Sequence, residues 1–211
     1  MSAAQIADAE RRDLADLLLK LGPDEGTLCG DWTTRDLLAH LLVRERQPVA
    51  AAGIVIGPLA SATERAMRGY DGTPWADRVN LLRSGPPLWS PFRLPAFDRI
   101  GNGGELFVHH EDVRRGEAGW GPRAADAERD GELWSLLGRM GKMLYRSSPV
   151  GVVLARPSGE RIVAKQDDRS VTITGEPGEL VLHGFGRDAV RVEVDGDPAD
   201  VAALGSVSRG V

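Results

Sequence analysis

Two adjacent histidines lie among charged residues in the segment GELFVHHEDVRRG, at positions 104–116. On a helix, Glu105 and His109 are four residues apart, so their side chains project from one face with β-carbons about 6 Å apart. That spacing suits two ligands of one metal ion. His110 is rotated by about 100° from His109 and does not share this face. The segment therefore predicts part of a metal site, with His110 outside it.

A third ligand is needed to support this prediction, because Glu-x-x-x-His pairs also occur between solvated neighbours on helix surfaces. The candidate is His40, which lies in the apolar run DLLAHLL beside Leu37 and Leu41. The alternative is a histidine at the edge of the core that is hydrogen-bonded to a backbone carbonyl. Two histidines and a carboxylate would leave coordination positions for water or substrate, as in catalytic metal sites.

Helices must position these side chains. Hydrophobic periodicity and stop signals predict helices near residues 3–21, 34–47, 50–69 with a break near 57–58, 75–83, 102–115 and 124–145. Thr33 and Asp36 form a capping-box pattern before the helix of His40, and Pro48 ends that helix. Residues 84–100 contain four prolines and predict a loop that wraps the helices. We expect its large apolar side chains to be buried, namely Trp89, Phe92, Leu94 and Phe97.

The sequence changes character after Ser148. The segments VGVVLA, RIVAKQ, VTITG and VRVEV are short and rich in valine and isoleucine, which is typical of strands. A helix is predicted to begin near Pro177 and a closing helix to cover residues 198–204. The expected fold class is therefore α+β, with a helical domain over residues 1–148 and a small α+β domain over residues 149–211.

Composition narrows the class of protein. The chain has 211 residues, of which 42% are hydrophobic, so it can form a substantial core. The net charge of −5, without a basic stripe, argues against nucleic-acid binding. Cys29 is the sole cysteine, which excludes a disulfide framework and indicates a reducing cytoplasm. The amino-terminal sequence lacks the pattern of a signal peptide, and no run of 18 apolar residues occurs, so we expect neither export nor a membrane anchor.

The segment TLCGDWTTRDLLAHL, at residues 27–41, together with GELFVHHEDVRRG resembles the DinB superfamily, in the actinobacterial branch of mycothiol-dependent maleylpyruvate isomerases. The resemblance implies an up-and-down four-helix bundle in which His40, Glu105 and His109 bind a divalent ion, usually zinc. It also implies a small carboxyl-terminal α/β domain, which agrees with the strand-rich tail. The segment FVHHEDVRR is more similar to another subgroup of this branch than to the isomerase. The resemblance therefore supports the same fold and the same metal for this chain better than it supports the same substrate.

The resemblance further implies that an arginine of the carboxyl-terminal domain reaches the metal site and is required for activity. We expect such an arginine to hold a substrate carboxylate through two parallel hydrogen bonds. Arg187, in HGFGRDAV, is the positional match, and a surface arginine is the alternative. The implied activity is thiol-dependent isomerisation or transfer, in which a metal-bound thiol such as mycothiol attacks a small electrophile. A non-catalytic module that binds metal or a small ligand is the alternative function, and a bundle that has lost its metal is a third. We expect no nucleic-acid or membrane partner, and a monomer or homodimer.

Three further residues lie close in sequence to the predicted metal ligands, and a structural role is considered for each. Asp112, three residues after His109, either orients that histidine or pairs with Arg114 or Arg115 on the helix surface. Cys29 is interpreted as a small buried residue of the turn before the helix of His40. Trp32 is expected to bind this turn to the bundle by burial.

Overall fold

The structure is a computed structural model that describes residues 3–51, 53, 57–93, 102–207 and 209. Within these residues the chain combines α-helices with one four-stranded sheet, which confirms the α+β class. The helices are α1 (Ala3–Leu21), α2 (Thr34–Arg46), α3 (Pro48–Ala51), α4 (Ala60–Arg68), α5 (Trp75–Arg83), α6 (Gly103–Arg114), α7 (Ala127–Leu144), α8 (Pro177–Gly184) and α9 (Pro198–Gly205). The strands are β1 (Gly151–Ala155), β2 (Arg161–Lys165), β3 (Ser170–Gly175) and β4 (Val192–Asp195).

The chain divides into two compact units, one that ends at Trp120 and one that begins at Gly121. This division differs from the predicted boundary at residue 148, because α7 packs on β2 and α8 of the second unit. Gly141 permits that packing, since a β-carbon there would lie only 3.3 Å from the β-carbon of Ala164. The apolar face of α7 indicates in the sequence that the helix is buried, but not which element covers it.

Four helices of the first unit share one apolar core. Leucine predominates in it, and the largest contributions come from α1, α2, α5 and α6. Its members include Leu14, Leu18, Leu37, Leu41, Val79, Leu82, Leu106 and Val113. The up-and-down connectivity implied for these helices stays a prediction.

The turn before α2 is held at both of its ends. The backbone N–H of Thr33 donates to Asp36 Oδ2 at 2.9 Å, which completes the predicted capping interaction. The backbone N–H of Leu28 donates to the carbonyl of Asp112 on α6 at 3.0 Å. Gly116 follows α6 and lies so close to Gly26 that any β-carbon would clash with its carbonyl oxygen. The turn is therefore docked against the carboxyl-terminal end of α6.

Helix α1 contacts both of the helices that carry the predicted metal ligands. Arg11 of α1 donates to both carboxylate oxygens of Glu45 on α2, at 2.7 and 2.6 Å, and all of these groups are buried. Glu10 of α1 contacts His110 Nδ1 on α6 at 2.8 Å. His110 therefore faces α1, on another side of α6 from Glu105, as the helical spacing predicted.

The prediction of a buried, wrapping loop is wrong at Trp89, whose side chain is 64% exposed. Phe92 is half-buried, and Leu94 and Phe97 lie outside the described residues. A small polar residue holds this part of the loop instead, because the buried Ser90 hydroxyl donates to the carbonyl of Glu45 at 2.6 Å. Closely spaced prolines limit how the chain turns, which explains why the Trp89 side chain does not reach the core.

The second unit contains the predicted strands in the order β2-β1-β3-β4. The central pair β1 and β3 is parallel, and both edge strands pair antiparallel. Valine, leucine and isoleucine side chains of β1 and β3 form the buried part of the sheet, and α8 connects β3 to β4. Among the described helices of the chain, none combines the length and apolar character needed to cross a membrane.

A buried polar pair lies between α7 and α8. Tyr145 Oη is 2.7 Å from His183 Nδ1, and the two rings stack with their centroids 5.9 Å apart. Burial, together with the charge of Arg209, lowers the pKa of His183 to about 4. Burial raises the pKa of Tyr145. The tyrosine hydroxyl is therefore hydrogen-bonded to a neutral imidazole, in a direction set by the imidazole tautomer.

This pair should make stability depend on pH. The pKa of His183 is about 4 in the folded chain and about 6.5 when unfolded, so the unfolded chain takes up the proton first as the pH falls. Stability is consequently lost between about pH 6.5 and pH 4, and about 2 kcal/mol should be lost from pH 7 to pH 4.5. The measurement is the free energy of urea unfolding at both pH values. In His183→Asn, which keeps an acceptor for Tyr145, this loss should disappear; an equal loss would contradict the assignment.

Candidate metal centre

Helices α2 and α6 bring the three predicted metal ligands together. Glu105 Oε1 lies 3.4 Å from His109 Nε2 and 4.0 Å from His40 Nε2. The donor atoms of all three residues lie within 4.8 Å of one another, and the two imidazole ring centroids are 5.2 Å apart. Residues about 65 positions apart in the sequence therefore form one group of donors, which one ion is able to bridge.

His40 has a buried nitrogen without a partner. Its Nε2 is enclosed by protein and makes no hydrogen bond within the described part of the chain. Such an orphaned atom costs free energy in a folded protein, unless a ligand or an ion satisfies it. Among the described residues, no backbone carbonyl accepts a hydrogen bond from this nitrogen. The Trp32 ring packs against the His40 imidazole, with centroids 5.2 Å apart.

The His40 imidazole is held in its neutral form. Burial lowers its pKa, and the contact with Glu105 only partly offsets this effect. A neutral imidazole is the form that coordinates metal ions, because its unprotonated nitrogen carries the lone pair.

His109 is oriented from its other nitrogen. Its Nδ1 lies 3.0 Å from Asp112 Oδ2, and the Asp112 side chain is fully buried. A proton on Nδ1 that is donated to this carboxylate leaves Nε2 available on the side of Glu105. Arg114 and Arg115 contact Glu111, so the surface pairing considered for Asp112 is taken by the neighbouring carboxylate.

The surroundings of His109 favour a cation. Burial alone would lower its pKa, but hydrogen bonds with Asp112, Cys29 and Glu105 outweigh burial and raise the pKa well above its usual value. In the metal-free protein a proton therefore supplies positive charge between the Glu105 and Asp112 carboxylates. A divalent ion would supply the same charge more strongly at this point.

Glu105 is kept ionised by its neighbours. Loss of solvent alone would raise its pKa, but contacts with His109, His40 and Arg44 lower the pKa well below its usual value. Arg44, on α2, has its Nε 3.7 Å from Glu105 Oε1. Sequence analysis did not single out Arg44, although it lies four residues after His40 and thus on the same helical face.

A second donor group contains a residue that sequence analysis interpreted as structural. Cys29 Sγ donates to Asp112 Oδ2 at 3.1 Å and lies 3.9 Å from His109 Nδ1. Cys29, His109 and Asp112 also have the proximity that a metal requires. Their donor atoms already share hydrogen bonds, whereas His40 Nε2 has none, so the first group fits an ion better. No local signal in TLCGDW pairs the cysteine with α6, which is distant in sequence.

Arg187, the predicted catalytic residue, belongs to the second unit and follows α8. Its Nη1 donates to the carbonyl of Phe185 at 2.7 Å, and its backbone N–H donates to the carbonyl of Leu182 at 3.0 Å. The side chain is thus positioned partly by the turn that ends the helix. Its role at the metal remains a prediction.

The site and the fold together define a mixed α+β protein with a candidate metal centre of two histidines and one glutamate. Two solved structures match 92% of this chain over 92% of their own length. They are a mycothiol-dependent maleylpyruvate isomerase, with a TM-score of 0.57, and a histidine-to-alanine mutant of such an enzyme, with a TM-score of 0.64. Both are 15% identical to this chain, a level at which the likeness establishes the fold. The resemblance noted in the sequence is thereby confirmed as a shared fold.

Comparisons of the amino-acid sequence with known proteins identify no further similar protein. No protein-family model matches the chain, and a search of curated proteins finds no match.

Separate substitutions distinguish the two donor groups. We expect His40→Ala to lower zinc affinity by more than the roughly 10–100-fold that loss of an outer partner costs. Cys29→Ala should change zinc affinity by less than about tenfold, because it removes only a neighbour of Asp112. The measurement is competition with a chelator of known affinity. His110→Asn is the matched control, since it removes an adjacent histidine outside both groups. Loss of zinc in Cys29→Ala but not in His40→Ala would place the ion in the second group.

Proposed function

We propose that this chain is a divalent-metal enzyme that uses a low-molecular-weight thiol to isomerise or modify a small electrophile. The observation that carries the proposal is the buried Nε2 of His40, which makes no hydrogen bond within the described residues and lies beside Glu105 and His109. A second observation, the fold shared with mycothiol-dependent maleylpyruvate isomerase, supports the thiol and the reaction type.

His40, Glu105 and His109 are the proposed ligands, and zinc is the proposed metal. Imidazole and carboxylate donors suit zinc, and three protein ligands leave a position for an exogenous ligand. When bound, the metal lowers the pKa of a coordinated thiol, so that the reactive thiolate forms at neutral pH.

The residues around the ligands prepare them for this role. Asp112 accepts the Nδ1 proton of His109 and directs the opposite nitrogen toward Glu105. Trp32 packs against the ring of His40 and restricts its rotation. Burial keeps His40 neutral, while nearby positive charge keeps Glu105 ionised, so both ligands are in the protonation state that coordination needs.

The cosubstrate is proposed to be mycothiol or a similar thiol, and the electrophile is a small molecule. We place the reaction in the cytoplasm, because a reducing compartment keeps a free thiol and Cys29 reduced. Arg187 is proposed to bind a substrate carboxylate, since a planar guanidinium forms two parallel hydrogen bonds with a carboxylate.

The proposal is tested by metal content and thiol-dependent turnover. We expect about one zinc per purified chain, and turnover of one or more members of a panel of electrophiles when mycothiol is supplied. A chelator should abolish turnover and added zinc should restore it, while omission of the thiol should also abolish it. Absence of bound zinc would contradict the proposal. Bound zinc with no turnover across the panel would favour the non-catalytic binding module.

Arg187 is tested by substitution in the active protein. Arg187→Met should raise KM for a carboxylate substrate by about tenfold or more, because a bidentate charge-assisted contact is lost. Arg187→Lys should recover part of this loss, and zinc content should not change. Arg161→Met, which removes an exposed arginine of the same unit, is the control. Unchanged kinetics in Arg187→Met would assign this residue to the surface.

A further inference from the structure

Arg44 is a cationic side chain next to the candidate metal centre, in the same compact unit as the three ligands. It follows His40 by one helical turn on α2, and its Nε lies 3.7 Å from Glu105 Oε1. The side chain is only 15% exposed, so most of it is withdrawn from solvent. An arginine in such a position is either a partner of the nearby carboxylate or a binding group for an anion.

Two contacts hold the guanidinium in place. Its Nη1 donates to Asn102 Oδ1 at 2.7 Å, and its central carbon lies 4.4 Å from the centroid of the Phe92 ring. The aromatic ring covers a flat face of the guanidinium, and Asn102 uses one of its corners. These contacts orient the group without using its Nε–Nη2 edge.

The Nε–Nη2 edge is the part of the guanidinium that binds carboxylates side-on through two parallel hydrogen bonds. Glu105 Oε1 lies 3.7 Å from Arg44 Nε, which is too long for a hydrogen bond. Within the described part of the chain this edge makes no hydrogen bond. A guanidinium edge that is held in place by the contacts of Nη1 and of the ring face, and that has no acceptor of its own in the described residues, is available to an incoming carboxylate.

The charge at the site also favours an anion once an ion is present. The Glu105 and Asp112 carboxylates balance the two positive charges of a divalent ion when the histidines are neutral. Arg44 then gives the centre one net positive charge, on a side chain that is only 15% exposed, where solvent screens the charge less than at an open surface.

We propose that the Nε–Nη2 edge of Arg44 binds a carboxylate group of the substrate beside the metal. This inference rests on the proposed function, because it requires the metal to be held by His40, Glu105 and His109. It assigns Arg44 to substrate selection, in the helical unit, independently of the role proposed for Arg187 in the second unit.

Anion binding to the cobalt-loaded protein tests this inference without any turnover. Cobalt(II) replaces zinc and reports ligand binding through its visible absorption. The two probes are acetate, which offers a planar pair of oxygens, and azide, an anion that coordinates metals but does not match the guanidinium edge. The variants are Arg44→Met, Arg44→Lys and, as the control, Arg35→Met, which removes an exposed arginine of α2 that pairs with Asp24.

We expect Arg44→Met to weaken acetate binding by about tenfold or more and azide binding by less than about threefold. Arg44→Lys should give an intermediate acetate affinity, because a lysine retains the charge without the planar edge. Arg35→Met should leave both affinities unchanged. Far-ultraviolet circular dichroism and thermal unfolding verify that each variant is folded.

Three results for Arg44→Met would overturn the inference. Equal weakening of acetate and azide in Arg44→Met would mean that Arg44 supplies only general positive charge. Loss of cobalt from a folded Arg44→Met would make it a positioning residue for Glu105. Unchanged acetate binding, with cobalt retained, would remove Arg44 from the site while leaving the proposed function intact. Failure of the unsubstituted protein to bind cobalt would instead contradict the proposed function itself, and this inference with it.

Discussion

Helix α6 is buried on nearly every side although half of its residues are polar, and this constraint governs the first unit. A buried charge or polar group must find a partner, because the energetic cost of leaving it unpaired exceeds what packing alone returns. The partners come from three directions. Glu10 of α1 meets His110, the arginines at the end of α6 meet Glu111, and the turn before α2 meets Asp112. The elements around α6 are thereby arranged by its polar groups as much as by its apolar ones.

The same constraint explains why the candidate centre lies where it does. Asp112 accepts hydrogen bonds at its side chain from His109 and Cys29, and at its carbonyl from Leu28. These contacts leave the other nitrogen of His109 on the side of Glu105, where α2 brings His40. Nearly every polar group of α6 has an interaction within the protein, and the contrast makes the orphaned Nε2 of His40 informative. A buried imidazole nitrogen that makes no hydrogen bond within the described residues, beside an ionised carboxylate, suits coordination to a metal ion.

Local signals in the sequence were sufficient for most of the secondary structure. The Thr33 and Asp36 pattern predicted the start of α2, and valine-rich segments predicted all four strands of the described sheet, because both signals depend on neighbours in the chain. Predictions about burial were less secure. Trp89 was expected to be buried because it is large and apolar, but its exposure depends on whether the proline-rich loop allows it to reach the core. The division between the units differs from the prediction for a similar reason, since a helix face does not specify its covering surface.

The sequence by itself determined the residue types and spacings of a candidate metal site, namely a glutamate and a histidine four apart on one helix and a histidine within an apolar helix. Helical geometry makes such information local, so it is readable without a structure. Only the tertiary structure decided that His40 meets Glu105 across α2 and α6, that Asp112 orients His109 instead of pairing with the arginines beside it, and that Arg44 and Cys29 adjoin the centre. Those relations join residues far apart in the chain, and they depend on how the buried α6 is surrounded.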